Sequence, residues 1–355
     1  MRESRLKLLI LPLVAFAFGL IASLSIAWIL GEHPLDVLQI LIVGAFGSAT
    51  QIGYSLYYAT PLLLTGLSVA WAMRAGLFNI GAEGQMTLGG VAMAAAGVLL
   101  PNLPAPIAVP LALLFAFLVG GLWGAIAGWI KAKRGTHEVL STILLNFIAY
   151  GLASFFILSV FKNQESQVPE TANVGSGYVI PQLSWLGGTS PLNFALFFSL
   201  VVVAIYGVVF RSTRFGFYQR MVGSAPEVGK RAGINMDRQT ILAMFMSGGI
   251  AALAAASPVL GFAHKTREGF ASNAGFVGIA VALLGRNSPW GIVAAAFLFG
   301  VLTKGALDLD LDTEKVSRDL ATVIQALVVL AVASQVGLSQ LWDRIASRKT
   351  KKEVH

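Results

Sequence analysis

The segment Arg74-Ala-Gly-Leu-Phe-Asn-Ile-Gly-Ala-Glu-Gly-Gln-Met86 is polar and glycine-rich, yet it stands between two long apolar runs with little more than a turn's room. Uncharged apolar runs of about 20 residues read as bilayer-spanning helices. Gly76, Gly81 and Gly84 release the backbone from helical geometry. Such backbone between spans survives only where it is buried in protein or lines a watery cavity. Two readings follow. In one, Asn79, Glu83 and Gln85 face a cavity. In the other, the segment is a tight cytoplasmic turn, with Glu83 favoured by the dipole at the start of the next span.

The rest of the chain supports the membrane reading. Of 355 residues, 56% are hydrophobic and only 12% charged, where a soluble domain carries roughly 25% charge. Charges and Pro/Gly breaks divide it into ten spans near 8–30, 55–73, 84–100, 107–130, 138–161, 193–210, 239–259, 272–285, 289–304 and 319–341. The first follows Arg2, Arg5 and Lys7 and is too long for a signal-peptide core, so it reads as an uncleaved span. The uncharged run Val37–Met73 exceeds one span, and Thr171–Phe210 opens with a Gly/Pro-containing loop. The expected fold is all-α and polytopic: a single transmembrane domain over 1–341 and a basic cytoplasmic tail over 342–355.

Cytoplasmic loops of membrane proteins collect Lys and Arg. With the N-terminus inside, nineteen of the 25 Lys and Arg fall on inner segments and six on outer ones. One missed span would invert every later loop, so both termini are expected in the cytoplasm and the number of spans even. Ten spans divide into five and five, and an odd-numbered half repeated in tandem must insert upside down. The net charge of +8 is dispersed over these flanking loops and forms no single basic face, which argues against a nucleic-acid partner. Cysteine is absent and the four His are scattered, so no thiolate metal site and no metal-ligand spacing occur.

Other segments carry polar signals. Thr136-His-Glu-Val-Leu-Ser-Thr-Ile-Leu-Leu-Asn146 opens the fifth span, with Thr136 a candidate N-cap and Glu138 in the first turn. Thr142 and Asn146 share a helix face, where they either bond a neighbouring helix or touch a solute. In the long inner loop 211–238, Ser224 followed by Glu227 reads as a capping box, Pro226 suits a first helical turn, and Gly233 can end the helix in the left-handed conformation. That two-turn helix, with Glu227, Lys230 and Arg231 exposed, either docks onto another protein or rests on lipid headgroups. On the outer side, His264–Phe270 and Asp308–Asp319 are mixed-charge connections: solvated loops, or a seat for a soluble binding protein.

Absences narrow the function. No G-x-x-x-x-G-K-[ST] is present, so the chain does not cradle ATP phosphates by itself. Ion-coupled carriers place acids inside spans, whereas Glu83 and Glu138 stand at span edges and the span interiors hold none. No nucleophile elbow or zinc-protease helix occurs, and an enzyme reading is poor.

Together, Arg74–Met86, Thr136–Asn146, the Gly223–Gly233 loop and Gly278-Ile-Ala-Val-Ala-Leu-Leu-Gly-Arg-Asn287 resemble the membrane subunit of an ATP-binding-cassette importer. The resemblance is nearest to permeases of nucleoside importers that work with basic-membrane-protein-type lipoproteins, within the ribose and branched-chain amino-acid permease superfamily. It implies about ten helices and a central path between two paired permeases, this chain being similar to the longer one. It also implies cytoplasmic ATPase subunits that bind the ATP, an external substrate-binding lipoprotein, no cofactor of the chain's own, and a place in the bacterial inner membrane. Ser224, Pro226, Glu227, Lys230, Arg231 and Gly233 then belong to a coupling helix in the loop 211–238. Phe78, Asn79, Glu83, Gln85, Thr142 and Asn146 become candidates for the translocation path, because a nucleoside needs an aromatic face for its base and amide or hydroxyl groups for its ribose. The family usually shows Asn or another polar residue where His137 stands.

Overall fold

The computed structural model describes residues 20–22, 24–29, 31–312, 323, 326 and 327. The tail 342–355 and nearly all of the span expected at 319–341 lie outside the described residues, as does the start of the first span. The described part is helical, with three isolated β-bridges among loops. Its helices are α1 (Pro34–Phe46), α2 (Ala49–Arg74), α3 (Ala82–Leu99), α4 (Ala105–Arg134), α5 (Glu138–Phe155), α6 (Ser184–Gly187), α7 (Ala195–Ser212), α8 (Arg214–Ser224), α9 (Pro226–Arg231), α10 (Met236–Leu253), α11 (Ala274–Leu284) and α12 (Pro289–Asp312). π-helical turns follow α5 at Phe156–Val160 and α10 at Ala256–Ala263.

Six helices among the described residues are long and apolar enough to cross a membrane. Two details differ from the sequence reading. The over-long run Val37–Met73 divides into α1 and α2 at Gly47-Ser48, where Ser48 caps α2 by accepting from the Gln51 N–H. Helix α12 runs on through Asp308 and Asp310 to Asp312, so these acids belong to helical turns and not to a loop; Lys304 pairs with Asp308 along it.

The chain forms two compact units. Residues 48–301 make the larger, and its centre is the pair α2 and α10, the most buried of the candidate spans. Burial on all sides requires every polar group to find a partner. Thr60 donates to the Leu56 carbonyl at 2.7 Å and Thr65 to the Ala274 carbonyl at 2.9 Å. Ser247 of α10 donates to the Ser68 carbonyl of α2 at 2.7 Å.

Helix α4 meets α10 along glycines. Gly120, Gly124 and Gly128 recur every fourth residue and face Gly248, Met244 and Ile241. A Cβ on Gly124 would lie 2.3 Å from the Met244 carbonyl oxygen, and one on Gly248 would lie 2.2 Å from that of Gly120. Small residues at this spacing let two backbones touch, the means by which helices associate where lipid supplies no hydrophobic drive. In the smaller unit, Val37 and Leu41 of α1 pack with Ala27, Leu302 and Leu309.

Gly124→Ala must therefore push α4 off α10 at a cost of about 1–3 kcal/mol. Its thermal midpoint in mild detergent should fall, whereas Gly151→Ala, with nothing within 4 Å of the added Cβ, should leave the midpoint unchanged or slightly raised.

Candidate translocation site

Helix α2 ends at Arg74, and its last turn closes through Gly76, whose φ of +68° suits glycine. The Gly76 N–H donates to Met73 O and the Leu77 N–H to Ala72 O, the Schellman pattern that satisfies terminal carbonyls. Residues 77–81 then run without helical bonds before α3 begins. Their polar groups are met from α5. The Phe78 N–H donates to Glu138 Oε1 at 3.2 Å and the Ile80 N–H to Thr142 Oγ1 at 3.3 Å. Asn146 serves two groups: its Nδ2 donates to Ile80 O at 2.9 Å, and its Oδ1 accepts from the Gly84 N–H at 3.0 Å. Lys131 at the end of α4 neutralises Glu138 at 3.0 Å.

Asn79 turns inward. Its Oδ1 accepts from the Gly81 N–H at 2.9 Å, and its Nδ2 donates to Gln85 Oε1 and to Ser247 Oγ, each at 2.8 Å. Through Ser247 and Ser68 the break is thus tied to both central helices. The sequence allowed a cavity or a tight turn, and the structure builds a tight, buried turn. Asn79, Gln85, Thr142 and Asn146 come together there, all buried, with polar atoms spent on backbone and on one another. Phe78 is half-buried and contributes its N–H.

Glu83 is placed differently. It is buried in the first turn of α3, and its Oε1 and Oε2 accept from the N–H groups of Asn273 at 2.9 Å and Gly275 at 2.6 Å, at the start of α11. It also lines a cavity of about 410 Å³ bounded by α3, the end of α5 and residues 267–273.

Two further contacts carry no local sequence signal. Ser247 lies in an apolar helix far along the chain from Asn79. Glu170, in the loop after α5, is gripped by Lys265 Nζ at 2.7 Å and Arg267 Nε at 3.0 Å. The Lys265 bond first, with help from Ser166 and Arg267, holds the Glu170 carboxyl down to about 2 against its burial. Backbone bonds Thr171 N–H to Thr266 O and Val174 N–H to His264 O complete this latch.

The loop 211–238 contains two helices instead of one. The capping box does not form. Ser224 closes α8 by donating to Arg220 O, and Ala225 stands at the cap of α9 without a side-chain bond. A serine still inside the preceding helix cannot also cap the next one. Pro226 does occupy the first turn of α9, Glu227 pairs with Lys230 at 2.9 Å, Arg231 ends the helix exposed, and Gly233 has a φ of +77°. Thr136 is likewise not a cap; His137 Nδ1 accepts from the Val139 N–H. The end of α8 rests on the helix break, where a Cβ on Gly223 would lie 2.4 Å from Gly76 N.

Asn146→Leu keeps the side-chain volume but orphans Ile80 O and Gly84 N–H, each costing about 1–3 kcal/mol. Recovery of folded protein from membranes should drop sharply, and a Leu variant as stable as wild type would contradict the assigned bonds. For Glu170 the folded pKa lies below the unfolded one, so its contribution is present above about pH 4.5 and is lost as pH falls toward 2. Thermal midpoints of wild type and Glu170→Gln should differ at pH 7, draw together below about pH 4.5 and converge only near pH 2, with no change in the gap between pH 6 and 8.

Relatives place this geometry. Residues 51–333 match the family described as branched-chain amino acid transport system, permease component. The chain is 35% identical to the guanosine ABC transporter permease protein NupP of Bacillus subtilis, over 97% of this chain and 98% of the relative. It is 32% identical to the nucleoside ABC transporter permease protein NupB of Lactococcus lactis subsp. cremoris, over 99% of each. It is 34% identical to the glucose ABC transporter permease protein TsgB13 of Haloferax volcanii, over 90% of this chain and 84% of the relative. With its multi-pass helices and near full-length likeness to transport permeases, this chain belongs to the family of branched-chain amino acid transport system permease components.

Proposed function

We propose that this chain is the membrane subunit of a nucleoside importer powered by a partner ATPase. The observation that carries the substrate class is the full-length likeness to NupP and NupB, a guanosine and a nucleoside permease. A sugar is the second reading, favoured by the likeness to TsgB13; on the sequence alone a pentose is the nearest competitor to a nucleoside. The chain works in the bacterial inner membrane with both termini in the cytoplasm, as about ten spans in an inverted five-plus-five repeat. It pairs with a second, related permease and receives solute from an external lipoprotein. It contributes no catalysis of its own, and ATP is bound by the ATPase subunits.

The coupling surface is the loop 211–238. Helix α9 has six residues, of which Glu227, Lys230 and Arg231 are exposed, so it is ordered to little purpose unless something seats on it. Helix α8, in contact with Gly76, carries that movement to the break before α3. Phe78, Asn79, Gln85, Thr142 and Asn146 hold the break in one geometry, and Glu83 brings the start of α3 to the path of the solute.

Cells without nucleoside uptake, given the assembled transporter, should accumulate labelled guanosine and uridine. Uptake of ribose or glucose with exclusion of both nucleosides would overturn the substrate class. The double reversal Glu227→Lys, Arg231→Glu should lower uptake at least tenfold while membrane levels of the chain stay normal, and unimpaired uptake would remove the loop as the coupling surface.

A further inference from the structure

The cavity beside Glu83 falls within the range of about 300–1,000 Å³ common to small-molecule sites. Its floor holds the Glu83 carboxylate and the Thr87 hydroxyl, and its rim holds Tyr150, Ser154, Arg267 and Glu268. The π-helical turn after α5 begins beside Ser154, and its Ile157 lines the wall. Such turns interrupt helices frequently at functional sites.

Each Glu83 oxygen accepts one backbone N–H, from Asn273 or Gly275. An ionised carboxylate offers about four lone-pair positions and no donor, so roughly two remain for hydroxyls in the cavity. The N-terminal ends of α3 and α11, which converge on it, favour its negative charge. A pair of adjacent hydroxyls, as on ribose, matches two acceptor oxygens on one planar group. Thr87 already donates to Glu83 O, which leaves its oxygen free to accept. Tyr150 stands partly exposed at the mouth and offers a ring face for a base. A phosphate would meet the carboxylates of Glu83 and Glu268, while Arg267 directs its Nε to Glu170. The cavity therefore suits an uncharged solute.

We infer that this cavity is the subsite that takes an uncharged nucleoside during its passage, with Glu83 accepting from the two ribose hydroxyls and Tyr150 stacking on the base. The inference rests on the nucleoside reading above and adds to it the residues that touch the sugar and the base.

The test compares initial uptake of guanosine and 2′,3′-dideoxyguanosine by the assembled transporter, each at a concentration that saturates the external binding protein. Saturation removes that protein's own preference from the ratio. Wild type should favour guanosine, and Glu83→Gln should shrink the guanosine-to-dideoxyguanosine ratio about tenfold, the worth of a hydrogen bond to a charged group. Tyr150→Leu should slow both solutes alike. If Glu83 served only to cap α11, Glu83→Gln would lower both rates equally with the ratio intact, and the subsite would be wrong. Should Glu83→Gln fail to reach the membrane, Ser154→Phe at the rim decides: blocked guanosine uptake at normal membrane level supports the subsite, and normal uptake overturns it. Absence of any guanosine or uridine uptake by the wild-type transporter overturns the nucleoside reading, and the subsite with it.

Discussion

A backbone that leaves helical geometry inside packed protein has to find a partner for every N–H and C=O, and in residues 77–81 the Phe78 N–H and both backbone groups of Ile80 find theirs on side chains of α5. The bonds from Glu138, Thr142 and Asn146 to this stretch determine where α2 stops, where α3 starts and how α5 lies against both. Asn79 extends the same set of bonds to Ser247 and so to the central helices α2 and α10. These groups therefore act as one network, in which an unmet member costs more than its own bond was worth.

Close packing of small residues is the complement of that network. The glycine seam between α4 and α10 leaves no slack for one helix to shift alone, because each backbone lies against the other. The same device recurs between Gly223 and Gly76, where the last turn of α8 lies on the last turn of α2. The chain beyond Gly76 leads within a few residues to Asn79 and Glu83. A short route thus connects α8 to the start of α3 and, through the Glu83 carboxylate, to the start of α11.

The opposite end of α3 and α5 is organised by charge. Glu170 binds residues 161–174 to residues 264–268 through Lys265 and Arg267, and backbone bonds reinforce the pair. Residues 267–273 also form one wall of the cavity beside Glu83. The glycine contacts and the ion cluster thereby bear on the same two helix starts.

Apolar runs, their flanking cations and the polar break are local properties, and they sufficed to reveal a polytopic helical chain, its candidate orientation and the importance of residues 74–86. Gly233 was legible for the same reason, since a left-handed residue at a helix end is a local demand; Gly76 was read with Gly81 and Gly84 only as a break in the helix, and Gly84 lies inside α3. The split of Val37–Met73 into α1 and α2 was not, because it lies within an uncharged run where hydropathy has no contrast. The capping box failed for a related cause: Ser224 obeys a local rule, but continuation of α8 through it left no free serine for α9. Sequence could not decide whether Asn79, Thr142 and Asn146 face a cavity or backbone, because both need the same amides and hydroxyls on the same helix face. Partners 62 to 168 residues away decided it. Hydropathy and propensity are summed along the chain, whereas the satisfaction of a buried polar group is settled only by which distant atoms the packing brings within hydrogen-bond reach.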